Sequence, residues 1–311
     1  MSETTPMVTF GMPVYNEAEF LEEALESLLA QTRRDWVLHI SDNASSDDTE
    51  SICRRFEERD ARIRYERFED NRGAGFNWSN VLEQAQTPLF AWAGGHDRWD
   101  PRFMETLVPL HDNPELILAY PRSIALDREG HTGAVYEDDH TNTAFTQPSE
   151  RFLRLVRYLG ICGNMLHGLW RTKVLQSVPF RHSFAPDTLL ITELTLKGYY
   201  EQHPEVLFYR RLMRPPETCR ERVTRAWTDV TARSVAPPWV KAHARFIAQH
   251  IDILNEHQEL LSPGLRNKVL AQTTLTLARR WLVMPWLREE LVPRLPPRLA
   301  DNLRTLWRLR P

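Results

Sequence analysis

Hydrophobic and polar positions follow two alternating spacings over the first hundred residues, and the switches between them mark out elements. Met7–Phe10 is a short apolar run stopped by Gly11, Met12 and Pro13, the form of a strand. Phe20, Leu21, Ala24, Leu25, Leu28 and Leu29 then recur at the spacing of one helical face. Asn16, with Glu19 three residues on, has the form of a capping box at the start of that helix. Trp36–Ile40 is a second strand, SDNASSDDTE a polar loop, and Ser51–Arg59 a helix that Asp47 and Glu50 can cap. Arg62–Phe68 makes a third strand, NRGAGFN a glycine-bearing loop and Trp78–Gln86 a helix. Leu89–Ala93 is a fourth strand running into Gly94 and Gly95. This order predicts a mostly parallel sheet with covering helices. Right-handed crossovers bring the loops after each strand to one edge. Pro13–Glu17, Asp42–Asp48, Asn71–Asn77 and His96–Asp97 are therefore expected to meet where open α/β sheets bind their ligands.

Past Pro101 the pattern gives a helix over Arg102–Leu110, a strand over Leu116–Tyr120 and a polar stretch over 123–150 with a hairpin turn at Asp127–Gly130. Next come a helix over Arg151–Leu159, a strand over Gly163–Trp170 and a helix starting near Arg171–Thr172. A further helix spans Thr188–Lys197, with Gly198 as its C′ glycine, and Glu205–Arg211 is a last strand. The character changes after Pro215–Pro216. Val240–Leu261 and Leu265–Leu282 read as long helices separated by Ser262–Pro263. The division expected is 1–215 as one α/β domain, with a nucleotide half to about 120 and an acceptor half from about 121, and 216–311 as a helical C-terminal extension.

Composition narrows the classes. The chain has 311 residues, 42% of them hydrophobic and 26% charged, an ordinary globular balance. A net charge of -3 gives no reason to expect a nucleic-acid partner. Cys53, Cys162 and Cys219 are odd in number, far apart and without metal-ligand spacing, which suits a reducing compartment. The start, MSETTPMVTFGMP, lacks the pattern of a signal peptide, and no run approaches the length needed to span a bilayer. A cytoplasmic protein is expected, with contact at the inner face of the membrane left open. From Arg266 to Arg310 ten Lys and Arg stand against three Asp and Glu, with Trp281, Trp286 and Trp307 interleaved. Such a tail can lie on an anionic bilayer or pack on the core or a second subunit.

The ordered loops resemble those of the family 2 glycosyltransferases of the GT-A fold. The resemblance rests on Pro13–Glu17, Ser41–Thr49, Asn71-Arg72-Gly73 with Asn77, His96–Trp99 with Pro101, His167–Arg171, and Asp187 eleven residues before Gly198. It covers roughly residues 7 to 212 and implies a Rossmann-like mostly parallel sheet. It also implies inverting transfer of a sugar from a nucleotide-diphosphate donor, a UDP-sugar favoured, to a saccharide or lipid-linked acceptor in surface polysaccharide synthesis. Asp42 would accept the imide N–H of the base, although it could equally cap the following turn. Pro13, Tyr15 and Glu17 would line the base and ribose side, and Glu17 also suits the first turn of a helix. Asn71 and Arg72 would face the ribose or diphosphate, Arg72 because a guanidinium binds phosphate bidentately; a solvated loop arginine is the competing reading.

Family members end the loop after the fourth strand in a run of acids that binds a divalent ion, Mn²⁺ or Mg²⁺. Here the run is Gly94-Gly95-His96-Asp97. Asp97 is the implied ligand, His96 is either a second ligand or a ribose contact, and Gly94 and Gly95 would let the sugar approach the backbone. Asp187 occupies the place of the general base and can also cap its helix, with Glu193 as the fallback. The family's histidine after the last strand is absent, which leaves Arg210 or Arg211 to face phosphate. Other classes fit less well. A non-catalytic binding protein is motivated by Gly94 and His96. A nucleotidyltransferase would need a glycine-rich phosphate loop after the first strand, and a dinucleotide oxidoreductase a GxGxxG there; neither is present.

Overall fold

A computed structural model describes residues 5–136, 142–143, 147–158, 162–181, 183, 185–211, 221, 224 and 239–279. The strands and helices of the first hundred residues stand in the order the pattern gives, with the third helix starting at Ala74, four residues before the expected Trp78. They are β1 (Val8–Val14), α1 (Ala18–Leu29), β2 (Trp36–Asp42), α2 (Thr49–Arg59), β3 (Ile63–Arg67), α3 (Ala74–Glu83) and β4 (Leu89–Trp92). β3, β2, β1 and β4 lie side by side and parallel. The buried faces of β1, β2 and α1 meet in one core that includes Phe10, Leu38 and Leu25. A parallel sheet covered on both faces needs such near-continuous apolar strands.

The second half continues the same sheet with mixed directions. It contains β5 (Arg98–Trp99), α4 (Phe103–Leu107), β6 (Leu116–Leu126), β7 (Thr132–Tyr136), α5 (Pro148–Tyr158), β8 (Leu169–Arg171), α6 (Thr172–Gln176), α7 (Pro186–Leu194) and β9 (Tyr199–Arg211). The strand order is β3-β2-β1-β4-β8-β6-β9-β5, with β7 hydrogen-bonded to β6 as the hairpin whose turn holds Gly130 at φ 86. β9 runs parallel to β6, and near Pro121–Ser123 their register shifts, so that His203 and Val206 face consecutive residues of β6. Pro204 and Glu205 form the bulge, and Leu207 is a further extra residue between Val206 and Phe208. α8 (Trp239–Glu256) and α9 (Pro263–Ala278) follow. A third apolar cluster joins Phe152 of α5, Leu189 of α7, Phe246 and Ile253 of α8 and Val269 of α9, so these C-terminal helices pack on the sheet's own helices.

Several expectations are corrected. Gly163–Trp170 is mostly a 3-10 helix, Cys162–His167, and only Leu169–Arg171 is strand; Met165 and Leu166 are apolar because that turn is buried. The Asn16 capping box does not form. Asn16 sits at φ 55, and its side-chain oxygen takes the Ser46 N–H at 2.8 Å. Gly198 is not a left-handed cap; it is small because a Cβ there would lie 2.5 Å from Ile117 Cγ2 and 2.7 Å from Glu115 O. The change at Pro215–Pro216 and the basic tail beyond Arg279 lie outside the described residues, as do Cys219 and the side chain of Cys162; Cys53 is buried.

Candidate active site

The carboxyl ends of β1, β2 and β4 carry three of the four expected loops, and hydrogen bonds sew the first two together. Asp47 Oδ1 accepts from Thr49 N and Oγ1, and its Oδ2 accepts from Ala18 N at 3.1 Å, so one carboxylate serves the starts of both α2 and α1. Asn16 N donates to Ser45 Oγ, and Glu17 N to Thr49 Oγ1. Asn77, buried in α3, donates to the carbonyls of Val14 and Ser41 where β1 and β2 part. The resulting rim is fixed before any ligand arrives.

On the side expected to hold the base, Asp42 has no exposed surface. Its Oδ1 accepts from Ser45 N and Oγ at 2.9 and 2.6 Å, and its Oδ2 from Tyr65 Oη at 2.7 Å. The carboxylate holds the loop, and a base could reach it only if Ser45 or Tyr65 moved. Tyr15 is 48% exposed and Pro13 half-buried beside it in sequence. Asn71 Oδ1 accepts from Asn43 Nδ2 and from Gly73 N, and Arg72 N donates to Asn43 Oδ1. The Arg72 side chain is 45% exposed, with its guanidinium seated on two rings. It lies 4.6 Å from the ring centroid of Phe68 and 5.1 Å from that of Phe76, a cation–π arrangement that holds it over the loop.

At the end of β4 the two glycines lie close against their neighbours. A Cβ on Gly94 would fall 2.5 Å from Asp97 Oδ2, and one on Gly95 would fall 3.1 Å from Glu17 Cβ. Asp97 is 3% exposed and its Oδ1 accepts the Arg211 N–H at 2.9 Å. His96 Nδ1 meets Glu17 Oε2 at 2.9 Å. Burial works against the His96 cation, but the Glu17 hydrogen bond and the Asp97 charge prevail and raise its pKa. Glu17 is thus the partner of His96 and not merely a first-turn acid.

The two arginines of β9 separate cleanly. Arg211 is buried, its side chain 1% exposed. Its guanidinium donates to His96 O, to Asp127 O and Arg128 O of the hairpin and to Glu23 Oε2, and lies 4.2 Å from the ring centroid of Phe20. It holds the His96–Asp97 loop in place and is not free for phosphate. Arg210 points elsewhere: Nη1 donates to Asn164 Oδ1 at 2.6 Å, and its charge is felt at His96, His167 and Asp187. His167 Nδ1 donates to Trp92 O, and its ring stacks on Phe208 at 5.0 Å. Burial lowers its pKa, so the imidazole is neutral and Nε2 keeps its lone pair.

Asp187 lies in the first turn of α7, after Pro186. Burial raises its pKa despite hydrogen bonds from Thr188 and from its own amide and despite the Arg210 charge. A carboxyl held above its ordinary range is a stronger base when ionised. Glu193 is no substitute, because it faces the other way and its carboxylate is taken by Arg181 and His257. Sequence reasoning missed Asn164 and Tyr65 and gave Arg211 a phosphate in place of the loop it holds; the only signal for them was their place beside recognised motifs.

Asp97 and His96 carry the kinds of ligand atom that a divalent cation bound together with a diphosphate would take. Asp97 offers Oδ2, and His96 offers Nε2 with its other nitrogen held by a carboxylate, the usual support for a ligating histidine. Magnesium sites commonly use one or two carboxylates plus substrate phosphates. Among the described residues three ligand atoms gather within 4.8 Å only at Asp127, Glu129 and His131, on the exposed hairpin turn.

Comparisons with known proteins agree with this architecture. A Bacillus subtilis glycosyltransferase named for teichuronic acid biosynthesis, TuaG, is 32% identical over 99 residues, 32% of this chain and 39% of its own length. A Campylobacter jejuni β-1,3-glucosyltransferase acting on GalNAc(5)-diNAcBac-PP-undecaprenol is 33% identical over 104 residues, 33% of this chain and 34% of its own length. The chain therefore spans about two-fifths or less of these curated relatives. S. aureus TarS in complex with UDP-GlcNAc superposes with a TM-score of 0.65 at 14% identity, covering 92% of this chain and 76% of that one. The Pyrobaculum calidifontis mannosyltransferase PcManGT, in complex with GDP-Man and Mn²⁺, gives 0.52 at 17% identity, covering 99% and 89%. These likenesses establish a GT-A fold. The family profile described as Glycosyl transferase family 2 matches residues 9–166, and the chain belongs to that family.

Proposed function

We propose that the chain is an inverting glycosyltransferase that moves a sugar from a nucleotide-diphosphate donor, a UDP-sugar favoured, to a saccharide or lipid-linked saccharide in glycan synthesis. The observation that carries this reading is the loop at the end of β4, where Asp97 Oδ1 accepts the Arg211 N–H and His96 Nδ1 meets Glu17 Oε2, beside the sewn loops after β1 and β2. Arg210 lies within electrostatic reach of both His96 and Asp187. The base and ribose lie along Pro13, Tyr15, Asn71 and Arg72, with Asp42 fixing the loop beneath them. Asp97 and His96 would hold the cation, which when bound would stabilise charge on the diphosphate. Arg210 adds a positive charge on the same side. Asp187 accepts the proton of the acceptor hydroxyl as that oxygen bonds to the anomeric carbon and the bond to the β-phosphate oxygen breaks. The TarS complex with UDP-GlcNAc supports the donor class, and the undecaprenol-linked substrate of the Campylobacter relative supports the acceptor class.

The test is UDP release from UDP-GlcNAc, with GDP-Man in parallel, with Mn²⁺ and with chelator. Turnover that needs Mn²⁺, falls in Asp97→Ala and vanishes in Asp187→Ala while UDP still raises the melting temperature supports the reading. Normal turnover in both variants overturns the residue assignments. UDP binding without turnover in the unaltered chain favours the binding-protein reading that His96 motivates.

Among the described residues no helix is long and apolar enough to cross a membrane.

A further inference from the structure

The face of α7 opposite Asp187 carries a charge network that the reaction does not use. Glu193 is 3% exposed. Its Oε2 takes Arg181 Nε at 2.9 Å and Nη2 at 2.8 Å, and its Oε1 meets His257 Nε2 at 3.1 Å. Arg181 also grips Glu256, at the end of α8, through both terminal nitrogens at 3.2 and 2.5 Å. A single guanidinium therefore links α8 to α7, and His257 closes the link from the residue after α8. One turn earlier on the same face, Leu189 enters the apolar cluster shared with α8 and α9. The other side of α7 packs Leu190, Ile191 and Leu194 into the sheet's second core, and Tyr200 Oη donates to Ile191 O at 2.5 Å. α7 is thus enclosed on both sides, and its first turn carries Asp187.

We infer that Arg181, Glu193 and His257 are positioning residues: through them the C-terminal helices set α7, and with it Asp187, against the acceptor. This inference rests on the role proposed for Asp187. Displacing a catalytic group by about 1 Å can lower the rate by about a hundredfold without touching donor binding. Ground-state binding and transition-state stabilisation separate in KM and kcat, so the brace should act on kcat alone.

The test uses the full chain. Arg181→Met alone leaves Glu193 buried and under-compensated and is expected to destabilise the fold, so the informative variant is the double substitution Arg181→Met with Glu193→Leu, since apolar replacement of a buried pair is often tolerated. With UDP-GlcNAc and Mn²⁺, the double variant should melt within a few degrees of the parent and keep its stabilisation by UDP. Its kcat should fall about tenfold or more at unchanged donor KM, while Arg181→Lys restores most of it. Hydrogen exchange at residues 186–194 should quicken. Unchanged kcat with unchanged exchange, or a loss of UDP affinity matching the loss of rate, overturns the inference. If Asp187→Asn proves as active as the parent, the reading of Asp187 fails instead, and the exchange result still decides whether the brace holds α7.

Discussion

A methyl group on Gly94 is a direct probe of the site. A Cβ there would lie 2.5 Å from Asp97 Oδ2 and 3.3 Å from Cγ. An ordinary carbon–oxygen contact is about 3.4 Å, so Oδ2 must retreat by about 1 Å. The carboxylate is not free to swing, because Oδ1 accepts the buried Arg211 N–H at 2.9 Å. Either that bond is lost or the carboxylate turns its free oxygen away. The φ of Gly94 is not in the left-handed region, so an alanine backbone fits without strain. The expected stability loss in Gly94→Ala is that of modest overpacking, about 1–3 kcal/mol. The expected loss of turnover is larger, up to about a hundredfold, with more Mn²⁺ needed for half-maximal rate. UDP release from UDP-GlcNAc across a Mn²⁺ titration, beside a urea melt, measures both. Gly133→Ala is the control, since its nearest contact would be an ordinary 3.5 Å. Parental turnover and Mn²⁺ dependence in Gly94→Ala would show that Asp97 Oδ2 does not take part.

Four further outcomes follow from the structure. Because burial raises the Asp187 pKa, the acid limb of the pH–rate profile should lie above the ordinary carboxylate range. The same shift means that ionised Asp187 weakens the fold, so Asp187→Asn should melt above the parent at pH 8. That gap should shrink as the pH falls through the raised pKa, because the protonated parent no longer buries a charge; a gap that widens on acidification would contradict it. Arg211→Met removes a buried guanidinium that serves the His96–Asp97 loop, the hairpin and Glu23, and should lower stability in urea by about 3–5 kcal/mol. Asp47→Ala uncaps α1 and α2 together and should lower it by about 1–2 kcal/mol, whereas Asp48→Ala, whose side chain makes no cap hydrogen bond, should lower it far less.

How much could be read from the residues depended on how local the cause was. β1 to β4 and their helices follow from apolar runs and period, but Asn71–Asn77, expected as a loop, is helix from Ala74 onward. The strand assigned to Gly163–Trp170 failed because a short buried apolar run reads alike in strand and 3-10 helix. The two-residue β5 has too little sequence to carry a period; it exists because β9 lies beside it. Asn16 looked like a cap because its residue type is right, but the cap comes from Asp47 across the loop. Arg210 and Arg211 are indistinguishable in sequence. Only long-range pairing tells which one is enclosed.

That last difference has a simple origin. Successive residues of a strand point to opposite sides, so neighbouring arginines on β9 receive opposite destinations, one beside Asn164 and the other under the hairpin. Their phase is set upstream, where β9 takes up extra chain at Pro204 and Glu205 between His203 and Val206 and again at Leu207 between Val206 and Phe208. Deleting one of these residues, with the pairing kept on the upstream side only, would slide the strand by one and carry Arg211 into the place of Arg210 and Arg210 into that of Tyr209. The bulge is therefore a phasing device: it carries no chemistry, yet it decides which arginine braces the loop and which pairs with Asn164.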